Sequence, residues 1–414
     1  MAEELTADGW LLISAALVLF MTPGLAFFYG GMDRSRNVLN MLMMNFWCLL
    51  IIPIAWVVIG YSIAGGDFDA GWFGGFDAAF LGNLNLTSQA GVDELMLVAF
   101  LGMFAVITPA LISGAVADRM KFAAWAIFAP VWMLLVFAPV FKWVYGGWLG
   151  VRGSLDFAGG TAIHVNAGIA ALVAVLILGK RKGWPGEGHP PHSMPLVMIG
   201  TGILWFGWFG FNAGSSVNAD GTAVQAFMNT FLAAAAAGLM WAIVERVKDG
   251  HFTNLGAASG IVAGLVAITP AAGYVSSMSS IWIGLAAGLI CCFAVQVKFK
   301  AGYDDALDVV GVHFVGGLVG SLAIGFFADA EYFGAEHMSG LFYGGGLTLL
   351  AEQAIANGVT IVYSGVVTAL ILLALKATIG IRVSDDVEAT GLDIAEHAET
   401  GYNTGEAFME RANV

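Results

Sequence analysis

The chain has 414 residues, of which 59% are hydrophobic and 11% charged, with a formal charge of −14. A soluble domain of this length carries charge on about a quarter of its residues, so this composition excludes one and implies a chain that lives in the bilayer. Cys48, Cys291 and Cys292 all fall in apolar stretches, so no disulfide framework is indicated and the adjacent pair lacks metal-ligand spacing.

A helix needs ~20 apolar residues to cross a hydrocarbon core of ~30 Å. In chain order, eleven stretches meet that requirement: 10–31, 40–64, 95–117, 122–145, 160–179, 195–214, 223–244, 254–273, 279–297, 309–328 and 350–375. Period-two alternation is absent, which argues against a membrane β-barrel. The fold class expected is therefore an all-α polytopic membrane protein with eleven transmembrane helices. The start, Met1 to Asp8, has Glu3 and Glu4 but no basic n-region, so the first span reads as an insertion signal and not as a cleaved leader.

Basic residues follow the odd-numbered spans: Arg34 and Arg36; Arg119 and Lys121; Lys180, Arg181 and Lys182; Arg246 and Lys248; Lys298 and Lys300; and Lys376, Arg382 and Arg411. Only Lys142 and Arg152 fall on the opposite side. Positive charge marks the cytoplasmic side, so the N-terminus is expected outside and the C-terminus inside. Acidic residues collect in the outer loops, at Asp67, Asp69, Asp77, Asp93, Glu94, Asp220, Asp329, Glu331 and Glu336. A second acidic group, from Asp385 to Glu410, lies in the tail. An acidic outer surface either concentrates cations at an entrance or serves solvation and topology.

Two domains are expected, a transmembrane domain over 1–378 and an acidic cytoplasmic tail over 379–414. Superposing His164 on His313 also matches Gly168 with Gly317 and Ala174 with Ala323. This suggests two five-helix repeats, about 8–182 and 194–330, with the eleventh helix at 350–375. An odd number of spans per unit inverts the second copy, a plan that puts a substrate site at the repeat interface. Asp308 stands in this comparison as the inner counterpart of Asp156.

His164 and His313 lie deep within spans, whereas His189, His192, His251, His337 and His397 fall in loops or the tail. Ionisable groups at membrane depth are candidates for function. A buried imidazole stays neutral and offers one donor and one acceptor. Two such rings at a repeat interface would pair within an apolar tube, or each would satisfy its own helix contacts. Two histidines without a further ligand make a poor metal site. Asp156, two turns before His164, would cap the Gly159–Thr161 helix start or stabilise a waiting cation. Glu352 is expected in a polar contact between helices. The segment from Trp205 to Phe211 has five rings in seven residues. It forms either an interfacial aromatic belt or a cation-binding wall.

The segments Pro23-Gly-Leu-Ala-Phe-Phe-Tyr-Gly-Gly, Phe104-Ala-Val-Ile-Thr-Pro-Ala-Leu-Ile, Asp156-Phe-Ala-Gly-Gly-Thr-Ala-Ile-His164-Val-Asn-Ala, Trp208-Phe-Gly-Phe211-Asn-Ala-Gly-Ser215, Gly311-Val-His313 and Gly391-Leu-Asp-Ile-Ala-Glu-His-Ala closely resemble those of the ammonium transporter family, in its bacterial and archaeal branch. The resemblance covers nearly the whole chain. It implies an outer ammonium-recruitment site of Phe104, Tyr145 and Ser215, supported by Asp156. Phe104 and Phe211 would gate the pore, and His164 and His313 would line it and relay the proton. It further implies a homotrimer in the plasma membrane that takes ammonium or ammonia, and methylammonium, with a PII-type signal protein as a cytoplasmic partner. No catalytic residue, cofactor, metal or nucleic acid is implied. Tyr145 stands where the family commonly has Trp, and Glu396-His-Ala-Glu departs from the usual tail. The expected function is electrogenic ammonium uptake with ammonia in the pore. Ammonium sensing and passive Rhesus-type conduction are the alternatives.

Overall fold

A computed structural model describes residues 2–66, 72–82, 84–331 and 339–402 of the chain. Asp67, Asp69, Glu336, His337, Glu406, Glu410 and Arg411 lie outside the described residues. Among the described residues ten helices are long and apolar enough to cross a membrane: α1 Asp8–Met32, α2 Val38–Gly65, α3 Gln89–Val116, α4 Phe122–Arg152, α5 Gly160–Leu178, α6 Met194–Ser216, α7 Gly221–Asp249, α9 Ser277–Ala301, α10 Val310–Phe327 and α11 Thr348–Thr378. A shorter apolar helix, α8 Asn254–Ile268, brings the number to eleven. No strand occurs among the described residues, only an isolated bridge between Met120 and Arg382.

The eighth stretch differs from its expected extent of 254–273. Pro270 has no N–H to continue the helical hydrogen-bond ladder, so the helix stops at Ile268 and, although Thr269 keeps helical backbone, the chain then turns. The turn has a use, because the freed Pro270 carbonyl accepts a hydrogen bond from the Phe157 N–H at 2.9 Å. That contact supports the irregular segment entering α5.

Without a hydrophobic driving force between helices in lipid, close packing needs small residues. The α1–α6 pair shows this. A Cβ on Gly200 would lie 2.3 Å from the Phe28 nitrogen, and one on Gly207 would lie 2.2 Å from the Met21 side chain. Helix α1 therefore seats against α6 nearly backbone to backbone, which places Met21 and Leu25 beside Leu204 and Trp208.

The segregated charges occupy opposite ends of the bundle. At the basic end Arg181 bridges Asp118 at 2.9 Å and Asp304 at 2.8 Å, and Arg34 meets Asp118 at 3.1 Å. Burial works to raise the Asp118 carboxyl, but hydrogen bonding with Asp33 and the charges of Arg181 and Arg34 hold it well below the usual carboxylate range. At the far end Glu352 makes its inter-helix contact as an ion pair with Arg152 at 3.1 Å.

The tail is docked on the basic end through two short helices, α12 Asp385–Thr390 and α13 Leu392–His397. Buried Glu388 accepts from the Lys182 N–H at 2.6 Å and from Arg382 at 2.7 Å, and Asp393 accepts from the Asn40 N–H at 2.8 Å. Val383 donates to the Arg119 carbonyl at 3.0 Å. Part of the tail's acidity thus caps backbone donors and basic side chains of the membrane domain.

Candidate functional site

Helices α5 and α10 start in the same unusual way. Each opens with a stretch of π-helix, Gly160–Val165 and Val310–Phe314, and each stretch holds one of the deep histidines. Such openings leave backbone N–H groups without helical partners, which costs heavily at membrane depth unless other groups take them up.

At the start of α5 Asp156 takes up four of them. Its Oδ1 accepts from Gly159 and Gly160 at 2.8 and 2.7 Å, and its Oδ2 from Thr161 and Ala162 at 2.8 and 3.1 Å. Of the two readings open from sequence, the structure places this carboxylate as a cap. At the start of α10 the corresponding group is Asp305, and Asp308 is displaced from the counterpart role expected of it. Asp305 precedes His313 by eight residues, as Asp156 precedes His164, and its Oδ2 accepts from the Val310 N–H at 2.7 Å. Asp308 instead occupies the backbone place of Gly159. Both have positive φ, 65° and 116°, and both carbonyls accept from the residue four on, Val312 and Ile163, at 2.9 Å. The Asp308 side chain pairs with Lys298 at 2.6 Å.

Glycines let the two starts meet. A Cβ on Gly168 would lie 2.5 Å from the backbone of Phe314, and one on Gly317 would lie 3.1 Å from Val165. These are reciprocal contacts between equivalent positions. They bring His164 and His313 together, rings 5.3 Å apart and 16° from parallel, with their Nδ1 atoms 3.2 Å apart. Both rings are buried.

Above the histidines, Phe104 of α3 and Phe211 of α6 stack with centroids 4.3 Å apart and planes tilted by 31°. Phe211 also lies 6.1 Å from the His164 ring, which stacks on Trp208 at 5.5 Å. Trp208 is held by its Nε1–H donating to Thr269 Oγ1 at 2.8 Å. The space beside the histidines, lined by Met21, Ile107, Leu204, Trp208 and Phe211 among others, is about 10 Å³. That is room for roughly one water, with little on the walls to hold it.

One tautomer assignment satisfies the contacts of both rings. Tyr29 spends its O–H on the Leu111 carbonyl at 3.1 Å, so its contact of 3.5 Å with His313 Nε2 is favourable only if that nitrogen carries the proton. His313 Nδ1 is then an acceptor for His164 Nδ1–H. This leaves the buried His164 Nε2, which has no partner in the structure, as a bare acceptor beside the lumen.

On the other side of the phenylalanine pair lies a cavity of about 580 Å³, lined by Phe104, Tyr145, Asp156, Phe157, Ser215 and Tyr274 among others. All four residues expected at the recruitment site thus face one vestibule. Ser215 donates its O–H to the Phe211 carbonyl at 2.8 Å, which leaves its oxygen lone pairs to accept from an N–H donor. The vestibule has carboxylates at Asp156 and Asp220 but no Lys or Arg in its lining. Aromatic faces with hydroxyl and carboxylate oxygens suit a small hydrogen-bond-donating cation, and the dry lumen beneath suits a neutral molecule. No group of three or more His, Cys, Asp or Glu able to hold a metal occurs among the described residues.

Sequence reasoning missed Tyr29, Trp208 and Asp305 as parts of this arrangement. Tyr29 and Trp208 lay inside motifs already singled out, and the spacing of eight residues to the histidine would have selected Asp305.

Residues 9–402 match the model of the Ammonium Transporter Family. The chain is 49% identical to an ammonium transporter of Mycobacterium tuberculosis, covering 95% of this chain and 89% of that one. It is 48% identical to an ammonium transporter of Aquifex aeolicus, over 95% and 92% of the two chains. The crystal structure of Candida albicans Mep2 superposes with a TM-score of 0.86 at 32% identity, covering 92% of this chain and 87% of that one. A protein described as a sensor Amt protein superposes with a TM-score of 0.88 at 28% identity, over 96% and 99%.

Proposed function

The chain belongs to the ammonium transporter family, and on that premise we propose that it takes up ammonium by separating it into ammonia and a proton. Ammonium is recruited in the vestibule by Phe104, Tyr145 and Ser215, with Asp156 holding the vestibule floor. Potassium is close to ammonium in size, but it neither donates hydrogen bonds nor loses a proton. A lumen that admits only the neutral molecule therefore selects by chemistry. Ammonia passes between Phe104 and Phe211 when the rings part, and His164 and His313 carry the proton separately. The vestibule end faces outward and the docked tail lies in the cytoplasm, where a PII-type signal protein would meet it. The assembly is a homotrimer in the plasma membrane, with a pore in each subunit.

The observation that carries this reading is the stacked histidine pair with one free acceptor nitrogen, sealed in an apolar lumen beneath paired phenylalanines. The test is solid-supported-membrane electrophysiology on the purified protein, with ammonium against potassium. A variant with His164→Leu and His313→Leu should fold and lose the ammonium-evoked current; unchanged current in it would remove the proton relay from the mechanism. A second reading, ammonium sensing, draws on the likeness to the sensor Amt protein and on the docked tail. Binding of ammonium to liposome-reconstituted protein without charge movement would favour it. Ammonia flux without current would point to passive conduction.

A further inference from the structure

The two mouths of the bundle are chemically unlike. At the basic end a cavity of about 250 Å³ is lined by Met32, Arg181, His189, Lys298, Leu307 and Asp308 among others. It lies near the histidine pair on the basic side: Met32 is one helical turn past Tyr29, whose hydroxyl meets His313, and Asp308 lies two residues before the π-helix that carries His313. Lys298, at the end of α9, is 8% exposed and aims its ammonium group at this mouth. That group donates to Asp308 Oδ1 at 2.6 Å and to the Asp305 carbonyl at 2.8 Å, and it lies 5.5 Å from the Phe299 ring centre.

Two oxygen acceptors and an aromatic ring are the same kinds of partner that the vestibule offers to ammonium. Here a side chain of the protein already fills the place. Arg181, the other cation in the lining, is engaged by Asp118 and Asp304, and the lining's second carboxylate is Glu187, so Lys298 is the cation held at the Asp308 site. The vestibule at the opposite end has no such cation.

We propose that Lys298 is a specificity-determining residue that makes ammonium recruitment one-sided, its tethered ammonium group occupying and electrostatically closing the cation site of the basic-end mouth. The inference rests on the transport reading above. A passive pathway cannot shift an equilibrium, so the effect lies in the half-saturating ammonium concentration from each side, at an unchanged reversal potential. With Lys298→Met, Asp308 and the Asp305 carbonyl become free to hold an incoming ion. The double variant Lys298→Met with Asp308→Asn removes the site as well as its occupant.

The experiment is current measurement on vesicles of known orientation, with ammonium applied at either face of wild type and variants. The ratio of the half-saturating concentrations at the two faces is the readout. Lys298→Met should lower the basic-end value relative to the vestibule value by about tenfold, as expected for ~1.4 kcal/mol of relieved competition and repulsion. Lys298→Gln, which keeps hydrogen-bond donors without the charge, should shift the ratio in the same direction and covers the case in which the methionine variant does not fold. The double variant should return the ratio toward wild type. An unchanged ratio in both single variants, or a double variant that behaves like Lys298→Met, overturns the inference while leaving wild-type transport in place. Absence of ammonium-evoked current from either face of the wild type overturns the transport reading and the inference with it.

Discussion

The starts of α5 and α10 share a backbone and differ in how their acids are used. Both begin after a residue of positive φ, both open as π-helix, and both follow an Asp placed eight residues before a histidine. Asp156 spreads four N–H groups over both oxygens, whereas Asp305 accepts from Val310 through Oδ2 and keeps Oδ1 buried without a hydrogen-bond partner. Around Asp156 the protein leaves an open vestibule without basic side chains, and around Asp305 it brings in Lys298 and Arg181. The same local frame thus serves an open mouth at one end and an ion-paired one at the other.

The sharpest way to break this comparison is to substitute the two acids. In Asp156→Asn one carboxylate oxygen becomes an amide that faces N–H donors. Two donors lose their acceptor, at ~1–3 kcal/mol each, so a loss of ~2–6 kcal/mol is expected in thermal unfolding of the solubilised protein. Asp305→Asn keeps an oxygen for the Val310 N–H and should cost ~1 kcal/mol or less near neutral pH. Equal losses would show that the two caps are not used differently.

Next in size are the glycines at the contact. In Gly168→Ala the new methyl meets the Phe314 backbone at 2.5 Å, which side-chain motion cannot relieve. A loss of ~1–3 kcal/mol is expected. Gly317→Ala meets its neighbours at 3.0–3.1 Å and should lose less. The same unfolding measurement ranks them, and a reversed order would count against the reciprocal contact as described.

The smallest effect is one of pH. Burial pushes the Asp305 carboxyl up to about 6, against the pull of Lys298. A raised carboxyl favours the folded state while it is protonated. Its contribution is therefore full below the ordinary Asp value of ~3.9 and is lost as pH rises through about 6. Across that window wild type should lose more stability with rising pH than Asp305→Asn does. Parallel pH profiles would place Asp305 in a more solvated setting.

Much of the fold was legible because membrane insertion acts residue by residue. Apolar length and the placement of Arg and Lys are sums along the chain, and they gave eleven spans and two oppositely charged ends before any contact was known. Even the early stop of α8 was readable in principle from Pro270. The histidines were legible for the same reason, since a titratable group at membrane depth is costly wherever it points.

What the sequence by itself determined was depth: which residues lie within the hydrocarbon span and which at its ends. Direction and partnership were decided by the tertiary structure. Asp304, Asp305 and Asp308 are equivalent in composition, yet only the rotation of the chain entering α10 makes one a salt-bridge partner of Arg181, one a helix cap and one a partner of Lys298. Likewise Trp208 reads as one ring among five until α6 seats on α1 and turns it against His164. Hydropathy is additive along a chain. Hydrogen bonds and ring contacts depend on the azimuth and register of packed helices, which no single segment contains.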